Sequence, residues 1–253
     1  MSTTQSAAIG IIGGADGPTA IFVASNSLVP QLLSVAAALA IGYLLGSLMF
    51  GIIVSKGLFH DDVRSHGSGN AGSTNILRTY GKGAAALALA GDMGKGVLAV
   101  FLARWAACLI FGLPLDCAGA AFGPEGFNVG AAAAFAALLG HMKPLYFGFK
   151  GGKGIATSFG SLLFVFPVQA LLAFSVFLIL VAVTRYVSVG SVAAAITLPA
   201  LVFLTCPENM LVCVITACIG LSVIWRHRAN IKRLLSHTES KLDFNTLKKK
   251  KKH

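Results

Sequence analysis

Apolar stretches of about 20 residues recur along the chain and are separated by short segments rich in Gly, Ser, Asn and basic residues, the pattern a bilayer selects. The first firm stretch runs from Val29 to Ser55, and Gly42 and Gly46, four apart on one helical face, permit close helix contact. The second, Ala84 to Phe111, is interrupted by Gly91-Asp92-Met93-Gly94-Lys95, which reads as a break between two short helical pieces. Leu113 to Gly126 reads as a loop from its Pro and Gly content, and the apolar stretch Asn128 to Leu139 is short. Further apolar stretches cover Ile155 to Phe166, Val168 to Thr184, Val187 to Leu204 and Met210 to Trp225. Trp225 stands where an interfacial aromatic belongs, just before Arg226-His227-Arg228. The pattern predicts an all-α polytopic membrane protein with five to eight crossings, of which seven transmembrane helices fit an odd count, and short re-entrant or broken segments. Residues 1–27 read as a glycine-rich extension, 28–235 as the membrane domain and 236–253 as a basic tail. Within the extension, the run from Gly10 to Thr19 is too rich in Gly and Pro for a regular helix and predicts a broken or re-entrant segment.

Composition sharpens this picture. Hydrophobic residues make up 56% of the chain and charged ones 11%, against about 25% charged in an ordinary soluble domain. The net charge is +11, and from Arg226 to His253 ten Lys or Arg residues face only Glu239 and Asp243. Met1 to Pro30 holds Asp16 and no Lys or Arg. Basic residues beside a span mark the cytoplasmic side, so the sequence predicts a cell-membrane protein with its amino terminus outside, its carboxyl terminus cytoplasmic and an odd number of spans. Lys248 to Lys252 suits anionic lipid headgroups or a solubilising tail; no folded basic domain or interleaved aromatics accompany it, which argues against nucleic acid. The five Cys show no metal spacing and read as small apolar residues.

Three polar constellations carry candidate chemistry. In Ser65 to Arg78, glycines including Gly69 and Gly72 let the backbone expose its N–H groups, and Ser68, Asn70, Thr74 and Asn75 add short polar side chains. Such a segment is either a phosphate cradle, with Asn75 and Arg78 on one helical face, or a flexible linker. Asp92 and Lys95, three apart, either form a salt bridge at a helix end or make Lys95 a phosphate contact that Asp92 orients. Burying either charge alone would cost about 2.5–3.5 kcal/mol. The third constellation joins Gly140-His141 and Pro144 to Lys150-Gly151-Gly152-Lys153-Gly154. It lacks the glycine and the hydroxyl of a nucleotide phosphate loop, since Phe147 and Gly154 stand at those positions, yet its lysines can clamp a small phosphate ester. Ser188, in Arg185 to Ser188, and His227 with Asn230 either complete the site or form an ordinary basic cap.

Together these motifs resemble the membrane glycerol-3-phosphate acyltransferase family that uses acyl-phosphate as donor, over Leu33 to Lys241. Gly67 to Asn75 resembles its first signature, Asp92 with Lys95-Gly96 its second, and Gly140-His141, Pro144 and Phe149 to Gly154 its third. Arg185 to Ser188 and His227 to Ile231 resemble later features of the family. The resemblance implies acyl transfer to position 1 of glycerol 3-phosphate, with lysophosphatidic acid and phosphate as products, and no metal or cofactor. By the same resemblance, Ser68, Asn70, Asn75, Arg78, Lys95, Lys150 and His227 serve catalysis. Gly69, Gly72, Thr74, Asp92, His141, Gly151, Gly152, Lys153, Ser188 and Asn230 serve substrate binding. Phosphate leaves readily, which favours direct attack by the substrate hydroxyl, with an acyl intermediate on Ser68 as the alternative. A transporter for phosphorylated solutes and a noncatalytic membrane subunit are the competing functions. Gly10 to Phe22 instead resembles a motif of the membrane beta subunits of sodium-pumping decarboxylases, without the larger transport domain that accompanies it there.

Overall fold

The computed structural model describes residues 8–12, 20–24, 28–111 and 124–242, with side chains over 29–110 and 128–242. Most of the expected loop from Leu113 to Gly126 lies outside these residues, as do Cys117, Asp16 and Lys248 to Lys252.

Two strands, β1 (Ala8–Ile12) and β2 (Ala20–Ala24), pair antiparallel with Ala8 opposite Ala24. Residues 13–19, most of the broken or re-entrant segment expected from Gly10 to Thr19, lie outside the described residues, and the β-branched residues Ile9, Ile11, Ile21 and Val23 favour the strands on either side. The first long span is not one helix. It divides into α1 (Leu28–Gly46) and α2 (Phe50–Phe59). At the break Ser47 donates its hydroxyl back to the Tyr43 carbonyl at 2.8 Å, and the freed Leu48 carbonyl accepts from Lys95 Nζ.

After α3 (Ser73–Tyr80), α4 (Lys82–Phe111) runs unbroken for 30 residues, where a break was expected between Gly91 and Lys95. Both glycines of that region that pack tightly do so against neighbours: Gly91 meets the Phe50 ring, and Gly96 meets the backbone of Thr157. The charged pair points inward and stays buried. Neither feature requires the helix to stop.

The remaining helices are α5 (Pro124–Met142), α6 (Ile155–Val165), α7 (Pro167–Thr184), α8 (Val187–Thr205), α9 (Met210–Arg226) and α10 (Arg228–Leu235). The fold is all-α and polytopic, but the expected seven crossings are corrected. Among the described residues four segments are long and apolar enough to cross a membrane: Val29–Phe59, Lys82–Ile110, Pro167–Thr184 and Val187–Thr205. The count reaches five if α9 and α10, bent by 53°, form one span. The reasons are local. At 11 residues α6 is about 16 Å long, short of a hydrocarbon core of about 30 Å. The described side chains of α5 are largely core, with Val129, Ala131 to Ala134 and Ala136 to Leu138 all buried.

α1 and α5 run side by side in the same direction, Gly42 against Ala133, Gly46 against Ala137 and Gly140 against Tyr43. Small residues let the two backbones approach within contact. Leu171, Ile179, Val183 and Leu204 remain exposed, as lipid-facing positions should be. Contacts between Tyr43 and Lys143, Thr157 and His141, and Arg226 and Gly152 bring the ends of α1, α5 and α9 and the start of α6 together on one side.

A Cβ at Gly46 would overlap the Ala137 backbone, whereas one at Gly57 meets nothing within 4 Å. Gly46→Val should therefore destabilise the protein by about 1–3 kcal/mol or more, while Gly57→Ala leaves the melting temperature in detergent essentially unchanged. Equal melting of the two variants would contradict this packing.

Candidate active site

The first polar segment is a built loop and not a linker. Asn75, buried in the first turn of α3, donates from Nδ2 to the carbonyls of Val63, His66 and Asn70 at 3.0–3.1 Å. Its Oδ1 accepts from the Ser68 N–H at 3.1 Å. Gly67 and Gly69 take φ of +56° and +67°, the left-handed region that suits glycine, and a Cβ on Gly67 would strike Asn75 Oδ1. Asn70 Oδ1 accepts from the Gly72 N–H at 3.0 Å, and Gly72 precedes α3 as its cap. Thr74 is half-buried in the first turn. Ser68 and Gly69 stand exposed at the tip of the loop, and Arg78 projects from the last turn of α3.

The third segment folds over the end of α5. The His141 ring is buried; its Nδ1 lies 2.9 Å from Lys95 Nζ and 3.1 Å from Thr157 Oγ1. Gly152 packs on that ring and donates its N–H to the His141 carbonyl at 3.1 Å. Gly151 lies against the same carbonyl, and Gly154, with φ of +83°, turns the chain into α6. Lys150 remains exposed. An open cleft of about 750 Å³ separates this segment from the first loop, lined on one side by Asp62, Arg64, Ser65 and Gly69, and on the other by Phe147, Gly148, Lys150 and Gly151.

Lys95 does not reach this cleft. Its Nζ serves the Leu48 carbonyl, His141 Nδ1 and Asp92 Oδ1, the last at 2.8 Å as an ion pair rather than an aligned hydrogen bond. An ammonium has three N–H groups, and in this structure all three of Lys95 have protein partners, with the Asp92 salt bridge among them. Lys95, Asp92 and His141 form a buried knot that ties α1, α4, α5 and α6 beneath the third loop.

A second group of side chains meets where the chain leaves α10. Lys153 donates to Asn230 Oδ1, and Asn230 Nδ2 donates to Glu239 Oε1 at 2.6 Å. Ser188 donates to the same oxygen at 3.0 Å, and Arg233 pairs with Oε2 at 2.7 Å. Residues 236–242, the start of the expected basic tail, fold back across the site: Arg78 donates to the Ser240 carbonyl at 3.2 Å and the Leu242 N–H to the Arg185 carbonyl at 2.7 Å. His227 is buried, with Nδ1 donating to the Val223 carbonyl at 2.8 Å, so Nε2 is the ring's remaining acceptor. Burial pushes the Lys153 ammonium down to about 8, although Glu239 opposes the shift. Burial alone would raise the Glu239 carboxyl; hydrogen bonds from Asn230, Arg233 and Ser188 outweigh it and hold the group below the usual carboxylate range.

Apart from Asp92, Lys95 and His141 in the buried knot, the expected residues gather in two groups, Ser68 to Arg78 with Lys150 to Gly152, and Lys153 with Ser188, His227 and Asn230. Sequence reasoning missed Arg64 and Glu239. An acid in a basic tail is the signal that could have exposed Glu239, and the Asp62-x-Arg64 spacing the one for Arg64. Arg226 stood out only as the first residue of the basic run after Trp225. Among the described residues no group of three or more His, Cys, Asp or Glu side chains could hold a metal ion.

Residues 36–237 match the glycerol-3-phosphate acyltransferase family, and residues 1–63 match the Na+-transporting oxaloacetate decarboxylase beta subunit. A glycerol-3-phosphate acyltransferase of Clostridioides difficile (strain 630) is 42% identical over 202 residues, which cover 80% of this chain and 92% of that protein. One from Neisseria meningitidis serogroup B is 43% identical over 205 residues, 81% of this chain and 96% of its own. Among solved structures, the glycerol 3-phosphate form of PlsY (YgiH), an integral membrane glycerol 3-phosphate acyltransferase, superposes with a TM-score of 0.73 at 34% identity, covering 86% of this chain and 100% of that one. Its lysophosphatidic acid form gives 0.69 at 33% identity, with 85% and 98% covered. Motifs, loop geometry and near full-length similarity agree: this chain belongs to the glycerol-3-phosphate acyltransferase family.

Proposed function

We propose that this membrane enzyme transfers an acyl group from acyl-phosphate to the sn-1 hydroxyl of glycerol 3-phosphate, forming lysophosphatidic acid and inorganic phosphate for phospholipid synthesis. The observation that carries the reading is the gathering of Arg78, Lys150, Lys153, His227 and Asn230 around two glycine-shaped loops at one end of an apolar bundle. Two anionic reactants need converging cations and N–H groups, and the acyl tail needs an apolar flank.

In this reading Asn75 and Asn70 keep the first loop in shape, with Gly69, Gly72 and Thr74, so that Ser68 and Arg78 face substrate. Lys150, Gly151 and Gly152 receive phosphate oxygens, and Lys153 adds charge. His227 Nε2 accepts from a hydroxyl of glycerol 3-phosphate beside Asn230. Ser188 steadies Glu239, whereas Asp92, Lys95 and His141 hold the third loop from below. The substrate hydroxyl oxygen attacks the acyl carbonyl carbon, the carbon–oxygen bond to phosphate breaks, and the hydroxyl proton passes to a substrate phosphate. Among the described residues no carboxylate or imidazole hydrogen-bonds the Ser68 hydroxyl, which favours direct attack over an acyl-serine. No step in this scheme calls for a metal or cofactor.

Purified protein supplied with both substrates should release phosphate and form lysophosphatidic acid, with acyl-CoA failing as donor and Arg78→Ala giving almost no turnover. Movement of labelled glycerol 3-phosphate into sealed vesicles without chemical change would favour a transporter instead.

Lys153 provides a pH signature. With its ammonium near pH 8, the charge is present below that value and disappears as pH rises through it. The kcat/KM should therefore fall on the alkaline side with a midpoint near pH 8, and Lys153→Arg should move that limb upward. A profile identical in the two proteins would remove Lys153 from phosphate binding.

We also place the site on the cytoplasmic face, with the carboxyl terminus there and the amino terminus outside. Arg64, Lys150, Arg185 and Arg228 crowd the site's end of the bundle, the bias expected of a cytoplasmic surface. Tags fused at the two ends should be accessible from opposite sides of the membrane; the same side for both would refute this orientation.

A further inference from the structure

Two arginines outside the expected site set hold the third loop from either end. Asp62 fixes the guanidinium of Arg64, with Nε at 3.0 Å from Oδ1 and Nη2 at 2.7 Å from Oδ2. Arg64 Nη1 then donates to the carbonyls of Phe147 at 3.0 Å and Lys150 at 3.3 Å. From the last turn of α9, Arg226 donates through Nη2 to the Gly151 carbonyl at 3.1 Å and the Gly152 carbonyl at 2.8 Å, and through Nε to Gly152 at 3.1 Å. Four carbonyl oxygens in six residues are thus capped by two cations.

Capping matters because of what this loop is for. An uncapped carbonyl presents lone pairs that repel a phosphate oxygen. In a trans peptide the C=O and the next N–H point in opposite directions. Drawing the carbonyls of Phe147, Lys150 and Gly152 toward arginines therefore turns the N–H groups of Gly148, Gly151 and Lys153 the other way. None of these three donates within the backbone among the described residues. Glycines at 148, 151 and 152 permit the arrangement, and they also make the loop too pliant to keep it unaided. A fork of fixed donors can impose it, which a lysine's single ammonium does less well.

We infer that Arg64 and Arg226 are positioning residues that fix the third loop in its anion-accepting form by capping the carbonyls of Phe147, Lys150, Gly151 and Gly152. The inference rests on the loop binding a substrate phosphate. Neither arginine need touch the substrate; each acts through peptide orientation and through the lone pairs it removes.

The test uses the full-length protein in lipid nanodiscs and varies both substrates. Arg64→Gln and Arg226→Gln should each raise KM for at least one phosphate-bearing substrate by about tenfold or more, as lost charged hydrogen bonds predict. kcat should change much less, and Arg226→Lys should recover part of the loss. An unchanged KM for both substrates, whether or not the melting temperature falls, overturns the inference, because a merely structural arginine would reduce the folded fraction without altering KM. If Arg226→Gln does not fold, Arg64→Gln, which grips the more exposed end of the loop, decides the matter. Lys150→Ala separates the two levels. An inactive Lys150→Ala beside unaltered arginine variants defeats only the capping role, whereas an active Lys150→Ala defeats the phosphate-loop reading beneath it.

Discussion

The buried knot of Lys95, Asp92 and His141 is the constraint around which the bundle is arranged. Charges in the middle of an apolar assembly are tolerated only when each finds a partner. Here the partners come from different helices: Asp92 and Lys95 from α4, His141 from α5, Thr157 from α6 and the Leu48 carbonyl from the break after α1. The break in the first span and the continuity of α4 have this common cause. A carbonyl had to leave the helical ladder to meet Lys95, and the ion pair had to stay on one uninterrupted face to remain satisfied. The knot lies directly under Gly151 and Gly152, so the groups that neutralise the membrane-buried charges also set the height of the third loop.

Above this floor the site is made largely of backbone. The first loop holds its shape through one amide side chain, Asn75, which gathers three carbonyls and one N–H. The third is shaped from below by His141 and from the sides by arginines. Acyl transfer from a phosphate leaving group needs little from a protein nucleophile; it needs fixed positive ends of dipoles near the atoms that become negative. Rigid loops at the end of a bundle supply these without placing more charge in the lipid.

Much of this arrangement could be read from the residues. The apolar periodicity located α6 to α9 within one or two residues, and the placement of Gly, Ser and Asn located both loops. Other features could not be read, for identifiable reasons. The pattern treats every apolar run as a potential crossing, yet α5 is apolar because it is enclosed by protein, and α6 is apolar but too short. It treats Gly91 to Lys95 as a breaker, although Gly91 and Gly96 are contact surfaces for Phe50 and Thr157. No local signal reveals that Lys95 will lie within hydrogen-bond distance of a histidine 46 residues away. Arg64 escaped notice for the same reason, since its acceptors lie 83 and 86 residues further along.

Glu239 shows why a site for anions keeps a carboxylate. Ser188 sits at the start of α8 and Asn230 on α10, and both donate to the same oxygen, while Arg233 holds the other. Without that acceptor, the donors would have no shared reason to converge, and Lys153, already short of solvent, would lack its nearest negative neighbour. The carboxylate draws the end of the last helix and the segment after it onto the site, bringing Ser240 to Arg78. One negative charge therefore does structural service for several positive ones, and its position on the far side of Asn230 from Lys153 leaves the lysine's charge only partly offset. The segment that sequence composition assigns to a basic tail is, through residue 242, packed against the candidate site.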